Sequence, residues 1–432
     1  MLAPTSLLCY VLSLLLIIQT FIFWRSPASK STPAIAPQSG IASPASSANA
    51  SDWRFEPARD ASNIALTAAQ CDFAFPKLYA EVDRSVKFWR DKDHRISAND
   101  TRIRWRRDAA FRLLIHDNSL RILETRDTMN GPYRPRTLAV LHQLHQALLG
   151  ATVSGEVLPP IQFAVTVDDM SLIPNVENDT HAIWSFTRRL ADTDQERCWM
   201  IPDFNFWAGP DHAGSFYDAQ ARARRQNAYM LDKIPKAVWR GVVWTNQAVR
   251  GGLLQAVAGK PWADVAEVVW ATKANFMPLE DLCRYAFVIH TEGRSWSGRL
   301  KYLLNCDSVP VVHKMDWTTH YYHLLVPAGA EQNHIPVRRD WADLEKKVQR
   351  YLTHLPASQK IADRAIATFR DQYLTPAAEA CYWRRLVHGY SEVSEKPEVF
   401  EAGVGDGALD KVRGISFEEF VLAQEEWPPS GG

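Results

Sequence analysis

The sequence predicts an α/β protein whose second half is a doubly wound parallel sheet. Two observations carry this. Short apolar strand patterns at residues 236–243 (KAVWRGVV), 264–272 (DVAEVVWAT), 286–291 (AFVIHT) and 308–313 (SVPVVH) are separated by helical patterns, among them 279–285 and 297–304. Strands spaced by helices pack as parallel βαβ units, because each connection must cross back over the sheet. Residues 341–390 then read as helix almost throughout (DWADLEKKVQRYLTHL, SQKIADRAIATFRDQYL, PAAEACYWRRLVHGY). At 432 residues and 46% apolar content, the chain can hold two domains with a core each.

Taken in order, the chain opens with an uncharged apolar run at 7–24 (LLCYVLSLLLIIQTFIFW). It has the length of a membrane-crossing helix and exceeds the apolar core of a signal peptide, so residues 1–25 are expected to be a retained membrane anchor. Arg25 and Lys30 follow the run and would by themselves keep the body cytosolic. Three sequons, at Asn49, Asn99 and Asn178, and cysteines that can be paired point instead to a body in the lumen of the Golgi or endoplasmic reticulum. Residues 26–70 are expected to be a stem. The Pro/Ser/Ala-rich part, 26–51, has almost no charge and cannot bury a core.

The folded body is expected to comprise an N-terminal domain at 71–235 and a C-terminal one at 236–390, followed by a peripheral acidic tail at 391–432 with an amphipathic piece at 417–425. In the first domain, helical patterns cover 77–90 and 138–149. His142 and His145 sit at i, i+3 on the second and, with no third ligand nearby, read as a surface-flanking pair. Residues 162–167 (QFAVTV) alternate as a strand does and run into Asp168-Asp169-Met170. Open α/β sheets bind ligands at the carboxyl ends of their strands, so these carboxylates are candidates for a general base, against the alternatives of a helix cap or a solvated pair. Asp192-Thr-Asp194 has the spacing that holds a divalent metal on a nucleotide sugar. No strand precedes it, and it reads as a surface loop. Next come an aromatic, turn-rich stretch at 200–210 and a charged helix at 217–232 with a solvated basic face.

Lys+Arg and Asp+Glu balance at 49 each, which excludes bulk affinity for nucleic acid and makes any polyanion site a local one. The best local candidate is 292–306 (EGRSWSGRLKYLLNC), where a strand enters a Gly-Arg-Ser turn and a helix carrying Ser297, Gly298, Arg299 and Lys301. Free amides at a helix start, nearby cations and the close approach that Gly293 allows all favour a phosphate; the alternative is an ordinary βα turn. Arg240, in the middle of an apolar strand, must meet either a bound anion or a buried carboxylate. Sixteen tryptophans suit a protein that stacks sugar rings or bases, although tryptophan also fills cores.

Four landmarks occur in order: Trp239-Arg240-Gly241, the Gly293…Ser297…Arg299-x-Lys301…Cys306 run, His334-Ile-Pro-Val337 and Cys381-Tyr-Trp383. Together, over residues 71–390, they resemble glycosyltransferase family 90, which contains protein O-glucosyltransferases of the Rumi type and fungal capsule-associated xylosyltransferase-like proteins. The resemblance implies a GT-B-like fold, with two Rossmann-like doubly wound domains facing across a cleft and the C-terminal helices packing back. It also implies an inverting enzyme that needs no metal or other cofactor and moves xylose or glucose from a UDP-sugar to a hydroxyl of a glycan or protein. Asp169 falls at the family's catalytic aspartate, with Asp168 the nearby substitute; the family's Asp-Tyr-Pro is here Asp169-Met-Ser. Arg240, Gly241, Arg250, Gly293, Ser295, Ser297 and Arg299 fall in the donor-binding segments, and Phe206-Trp207 resembles an aromatic lining of the donor pocket. Trp239-Arg-Gly runs on into Val-Val-Trp244, where many relatives carry small hydroxyl residues.

The resemblance further implies a disulfide between Cys283 and Cys306 and another between Cys71 and Cys381. Cys198 is left unpaired and Cys9 lies in the anchor. Two other classes stay open: a lumenal pseudoenzyme that binds a glycan or client protein, and a glycoside hydrolase, which would require two facing carboxylates and has no use for a diphosphate cradle.

Overall fold

Two sheets organise the structure, a computed structural model that describes residues 53–432 apart from 172–173, 175–177, 208, 210–212, 402–409, 424 and 429–432. The expected anchor, the stem up to residue 52 and the Asn49 sequon lie outside the described residues. Among the described residues no helix is long and apolar enough to cross a membrane. Asn99 and Asn178 are both exposed.

The first sheet runs Ile415–Ser416, Ser119–Arg126, Ala110–His116, Ile161–Thr166, Trp184–Ser185, Trp199–Met200. The Ile161–Thr166 strand, buried at every position, pairs antiparallel with Ala110–His116 and parallel with Trp184. Here the expectation of a doubly wound sheet needs correction: this sheet is mixed. The cause is a hairpin, Ala110–His116 to Ser119–Arg126, closed by Asp117 and Asn118 at φ 49° and 53°. Two consecutive left-handed residues match the twist of a two-residue antiparallel turn. The hairpin is hidden in the sequence because Arg112, Arg121 and Glu124 interrupt its apolar alternation.

The second sheet runs Ile335–Val337, Val309–His313, Tyr285–His290, Ile234–Gly241, Ala263–Glu267, with every pair parallel. Read along the chain, its first strand lies between the second and third, so the strand order reverses at the Ile234–Gly241/Tyr285–His290 junction. In doubly wound sheets that reversal opens a crevice at the carboxyl ends of the two strands, where ligands bind. Tyr285–His290 and Val309–His313 are buried at every position, as expected of parallel strands covered on both faces.

The C-terminal helices divide their work. Leu344–Leu352 and Leu355–Thr368 cover the second sheet through Leu344, Val348, Ile361 and Ala362. Pro376–Val393 returns to the first sheet, where the Tyr390 ring meets those of Trp199 and Trp184 at 5.0 and 5.4 Å and Tyr382 donates to the Met200 carbonyl at 2.8 Å. This is the back-packing the resemblance implies, and Cys71–Cys381 ties that helix to the first helices of the body. Cys283–Cys306 closes the second pair, and Cys198 is free and buried, its thiol pushed up to about 11 by burial. The C-terminal segment adds Ile415–Ser416 to the edge of the first sheet and buries Phe420.

Candidate active site

The ends of the Ile161–Thr166 strand and of the two strands at the reversal point face a common cleft. Asp168 and Asp169 follow the first strand, and each is met by an arginine. Arg106 reaches Asp168 at 3.2 Å, while Arg136, from the first turn of the Tyr133–Ser154 helix, reaches Asp169 at 3.0 Å. Arg136 also donates to the Val167 carbonyl and lies over the Phe204 ring at 4.7 Å. Of the two carboxylates only Asp169 lines a cavity, and its side chain keeps 38% of its surface open.

Across from it, the Tyr285–His290 strand runs into Thr291-Glu292-Gly293. Glu292 is fully buried and anchors the turn: it accepts the Asp316 and Trp317 amides and pairs with Arg339. Burial raises its carboxyl above the ordinary value, against the lowering effect of these partners. The Glu292 amide donates to His313 Nε2 at 3.0 Å, and His313 Nδ1 bonds the Lys314 carbonyl at 2.8 Å. That pattern fixes a neutral ring, and burial holds its protonation down to about 4. Ser295 Oγ donates to the Asp169 carbonyl, joining the glycine turn to the end of the opposite strand.

Arg250 and Arg299 supply the charge. Arg250 sits in the helical turn Gln247–Gly251, held by Nε to the Glu292 carbonyl at 2.9 Å and Nη1 to the Val242 carbonyl at 2.8 Å. Its guanidinium and that of Arg299 lie 6.0 and 5.9 Å from the Trp239 ring centre. No carboxylate offsets either one among the described residues. Burial, reinforced by Arg299, pushes Arg250 down to about 9, and burial pushes Arg299 down to about 10. Arg299 Nη1 is buried with no hydrogen-bond partner. Both groups still carry charge at neutral pH, and two desolvated, uncompensated cations side by side form a site that an anion would stabilise. Gly241 makes room for this arrangement: a Cβ there would sit 2.7 Å from the Trp239 ring and 2.9 Å from Arg299 Nη1.

Two cavities open on this charge. The larger, about 610 Å³, is walled by Trp207, Trp270, Leu279, Tyr302, Arg136 and Arg299. The smaller, about 330 Å³, is lined by Asp169, Trp244, Thr245, Arg250 and the 293–298 turn. Phe204, Asn205, Ser297 and Gly298 line both and form the partition between them. Asn205 packs so closely on Gly298 that a Cβ there would meet its side-chain nitrogen at 2.6 Å.

Several expected residues have other duties. Arg240 lines neither cavity and pairs with Asp264 at 2.6 Å; side chains alternate along a strand, and its neighbour Trp239 takes the opposite face, into the core. Phe206 is buried beneath the Lys301 ammonium and does not line the cleft, whereas its neighbour Trp207 does. Lys301 is buried against Asp203 rather than free for an anion. The expected helix at 297–304 spans only Arg299–Leu303, and five residues give little macrodipole, so the positive charge here comes from the two arginines. Asp192 accepts the Asp194 amide at 3.0 Å as the cap of Thr193–Arg197. Arg136 and Trp270 join the site without a sequence signal, since each is distant along the chain from the residues it meets; Phe204, Asn205 and Trp244 lie in stretches the sequence marks, but nothing there places them in the cleft.

Against known proteins, the model of the family described as Glycosyl transferase family 90 matches residues 68–403. The chain belongs to this family. Among curated relatives, it is 26% identical over 249 residues to an O-glucosyltransferase rumi homolog of Anopheles gambiae, covering 52% of this chain and 62% of that protein. It is 24% identical over 257 residues to protein O-glucosyltransferase 1 of Rattus norvegicus, covering 54% and 63%. A shorter stretch of 120 residues is 33% identical to protein O-glucosyltransferase 2 of Danio rerio, covering 28% and 23%. The chain thus spans under two thirds of the length of these relatives. The family 90 match takes in the second sheet, all of the first sheet but its edge strand Ile415–Ser416, and the Pro376–Val393 helix.

Proposed function

We propose that the protein is an inverting glycosyltransferase of GT-B-like construction, moving xylose or glucose from a UDP-sugar to a hydroxyl of a glycan or protein acceptor. The Arg250–Arg299 pair, which no carboxylate offsets among the described residues, carries this reading: Arg250 lines the cavity of Asp169, and Arg299 lines the neighbouring one. In it, the larger cavity takes the nucleotide against Trp207 and Trp270, and the diphosphate lies at Arg250, Arg299 and the 293–298 turn.

The acceptor hydroxyl gives its proton to Asp169 as its oxygen attacks the anomeric carbon from the face opposite the leaving group. The bond from that carbon to the diphosphate oxygen breaks, and the electron pair leaves with UDP. Arg136 aims Asp169 through their 3.0 Å ion pair, and a positioned carboxylate of this kind contributes roughly 10²–10⁴-fold. Charge growing on the departing diphosphate is met by fixed guanidiniums, which need no reorganisation as the bond breaks. In this reading the arginines supply the positive charge and no metal is required.

The two disulfides favour an oxidising compartment, in keeping with a lumenal body behind an N-terminal anchor. The test is UDP release from a panel of UDP-sugars, with and without EDTA. Turnover insensitive to EDTA and lost in Asp169→Asn supports the reading. UDP binding with no turnover of any donor would identify a pseudoenzyme instead.

A further inference from the structure

Three tryptophans stand out among the described residues for their exposure, Trp207 at 38%, Trp270 at 43% and Trp244 at 67%, and all three line the cleft. The first two wall the larger cavity. Trp244, the most exposed, lines the smaller one, which also holds Asp169. It leaves the end of the Ile234–Gly241 strand just before the Arg250 turn, so its backbone is held by the same framework as the charge site. The Arg294 guanidinium lies over its ring at 5.4 Å, and the indole remains largely open to solvent all the same. Trp296, Thr245 and Ser295 complete that side of the cavity.

We infer that Trp244, with Arg294, is the platform on which a pyranose ring of a saccharide acceptor stacks, so that the acceptor of this chain is a glycan and not a protein side chain. The inference rests on the glycosyltransferase reading for its meaning as an acceptor subsite. An open indole offers a flat apolar face to the C–H face of a sugar, while guanidinium and hydroxyl groups at its edge take the sugar's hydroxyls. A serine or threonine side chain brings only one small hydroxyl to the base and has no flat face for the indole. The position favours the same conclusion: a ring resting on Trp244 lies in the cavity of Asp169, so one of its hydroxyls can meet the base.

The experiment uses the full chain and compares wild type with Trp244→Ala, Trp244→Phe and Arg294→Ala. The acceptor probes are methyl α-mannoside, methyl β-galactoside, methyl β-glucoside and their disaccharides, set against a serine- and threonine-containing peptide library. Transfer to a saccharide probe is expected, with the acceptor KM raised about tenfold in Trp244→Ala, less in Arg294→Ala and least in Trp244→Phe. Donor hydrolysis without acceptor and UDP binding should not change in Trp244→Ala or Trp244→Phe. Transfer to peptides alone, or an unchanged saccharide KM in Trp244→Ala, would overturn the inference. If wild type neither binds UDP nor releases it, the glycosyltransferase reading has failed, and the platform is then judged by tryptophan fluorescence alone. Quenching by a saccharide probe that is lost in Trp244→Ala upholds it, and no response to any probe refutes it.

Discussion

The two rims of the cleft treat charge in opposite ways. On the first-sheet rim each carboxylate already has an arginine, Asp168 with Arg106 and Asp169 with Arg136. On the second-sheet rim Arg250 and Arg299 have no carboxylate, and burial depresses both. A paired carboxylate is stable without a ligand, whereas a desolvated cation pair is stabilised only when an anion arrives. In the proposed reading the diphosphate goes to the second rim, and the first offers the half-open Asp169 carboxylate. Arg240 is the internal control: it lies on the same strand as Trp239, yet it is paired with the Asp264 carboxylate and lines neither cavity.

The sharpest way to break this contrast is Asp169→Asn. Transfer should fall by roughly 10²–10⁴-fold, while UDP affinity measured by calorimetry stays within error. Near-normal transfer would remove the base from the first rim. Next in size, Arg299→Ala and Arg250→Ala should each weaken UDP binding by roughly 10–100-fold, the range for losing hydrogen bonds to a charged group. Equal UDP affinity in wild type and both variants would place the anion elsewhere.

A third test concerns the anchor of the glycine turn. His313 must stay neutral to accept the Glu292 amide, and its protonation is held near 4 in the folded protein. The unfolded chain, with an ordinary histidine near 6.5, takes up the proton first on acidification. The stabilising contribution is therefore complete above about pH 6.5 and is lost as the pH falls from there towards 4, up to about 3 kcal/mol for this one fully buried group. Thermal unfolding should show Tm dropping over that window and a flatter profile in His313→Gln. An identical pH dependence in both would argue against this role. Smallest of all, Arg240→Met should leave UDP affinity unchanged, and a loss comparable with that of Arg299→Ala would erase the distinction between paired and unpaired arginines.

The sequence by itself determined the second sheet. Tyr285–His290 and Val309–His313 are short, apolar and buried on both faces, and helices supply the crossovers, so local pattern and topology agree there; Ala263–Glu267 is only half-buried, and Ile335–Val337 is too short to show a strand pattern. The two cysteine pairs were legible through motifs whose residues occur in a known order, and the same motifs led to Asp169 and the glycine turn, which the fold brings to one cavity. The hairpin at 110–126 was not, since a half-exposed antiparallel strand with charged residues on its open face lacks a clean period.

Tertiary structure alone decided which charges are free. Arg240, Arg250, Arg299 and Lys301 look alike as letters, and only packing separates the two that meet Asp264 and Asp203 from the two that meet no carboxylate among the described residues. It also decided that Arg136 pairs with Asp169 and that Trp207, Trp244 and Trp270 are open while Trp89, Trp184, Trp199, Trp239, Trp341 and Trp383 are core. Pairing and burial depend on distance in space, and distance along the chain does not encode it.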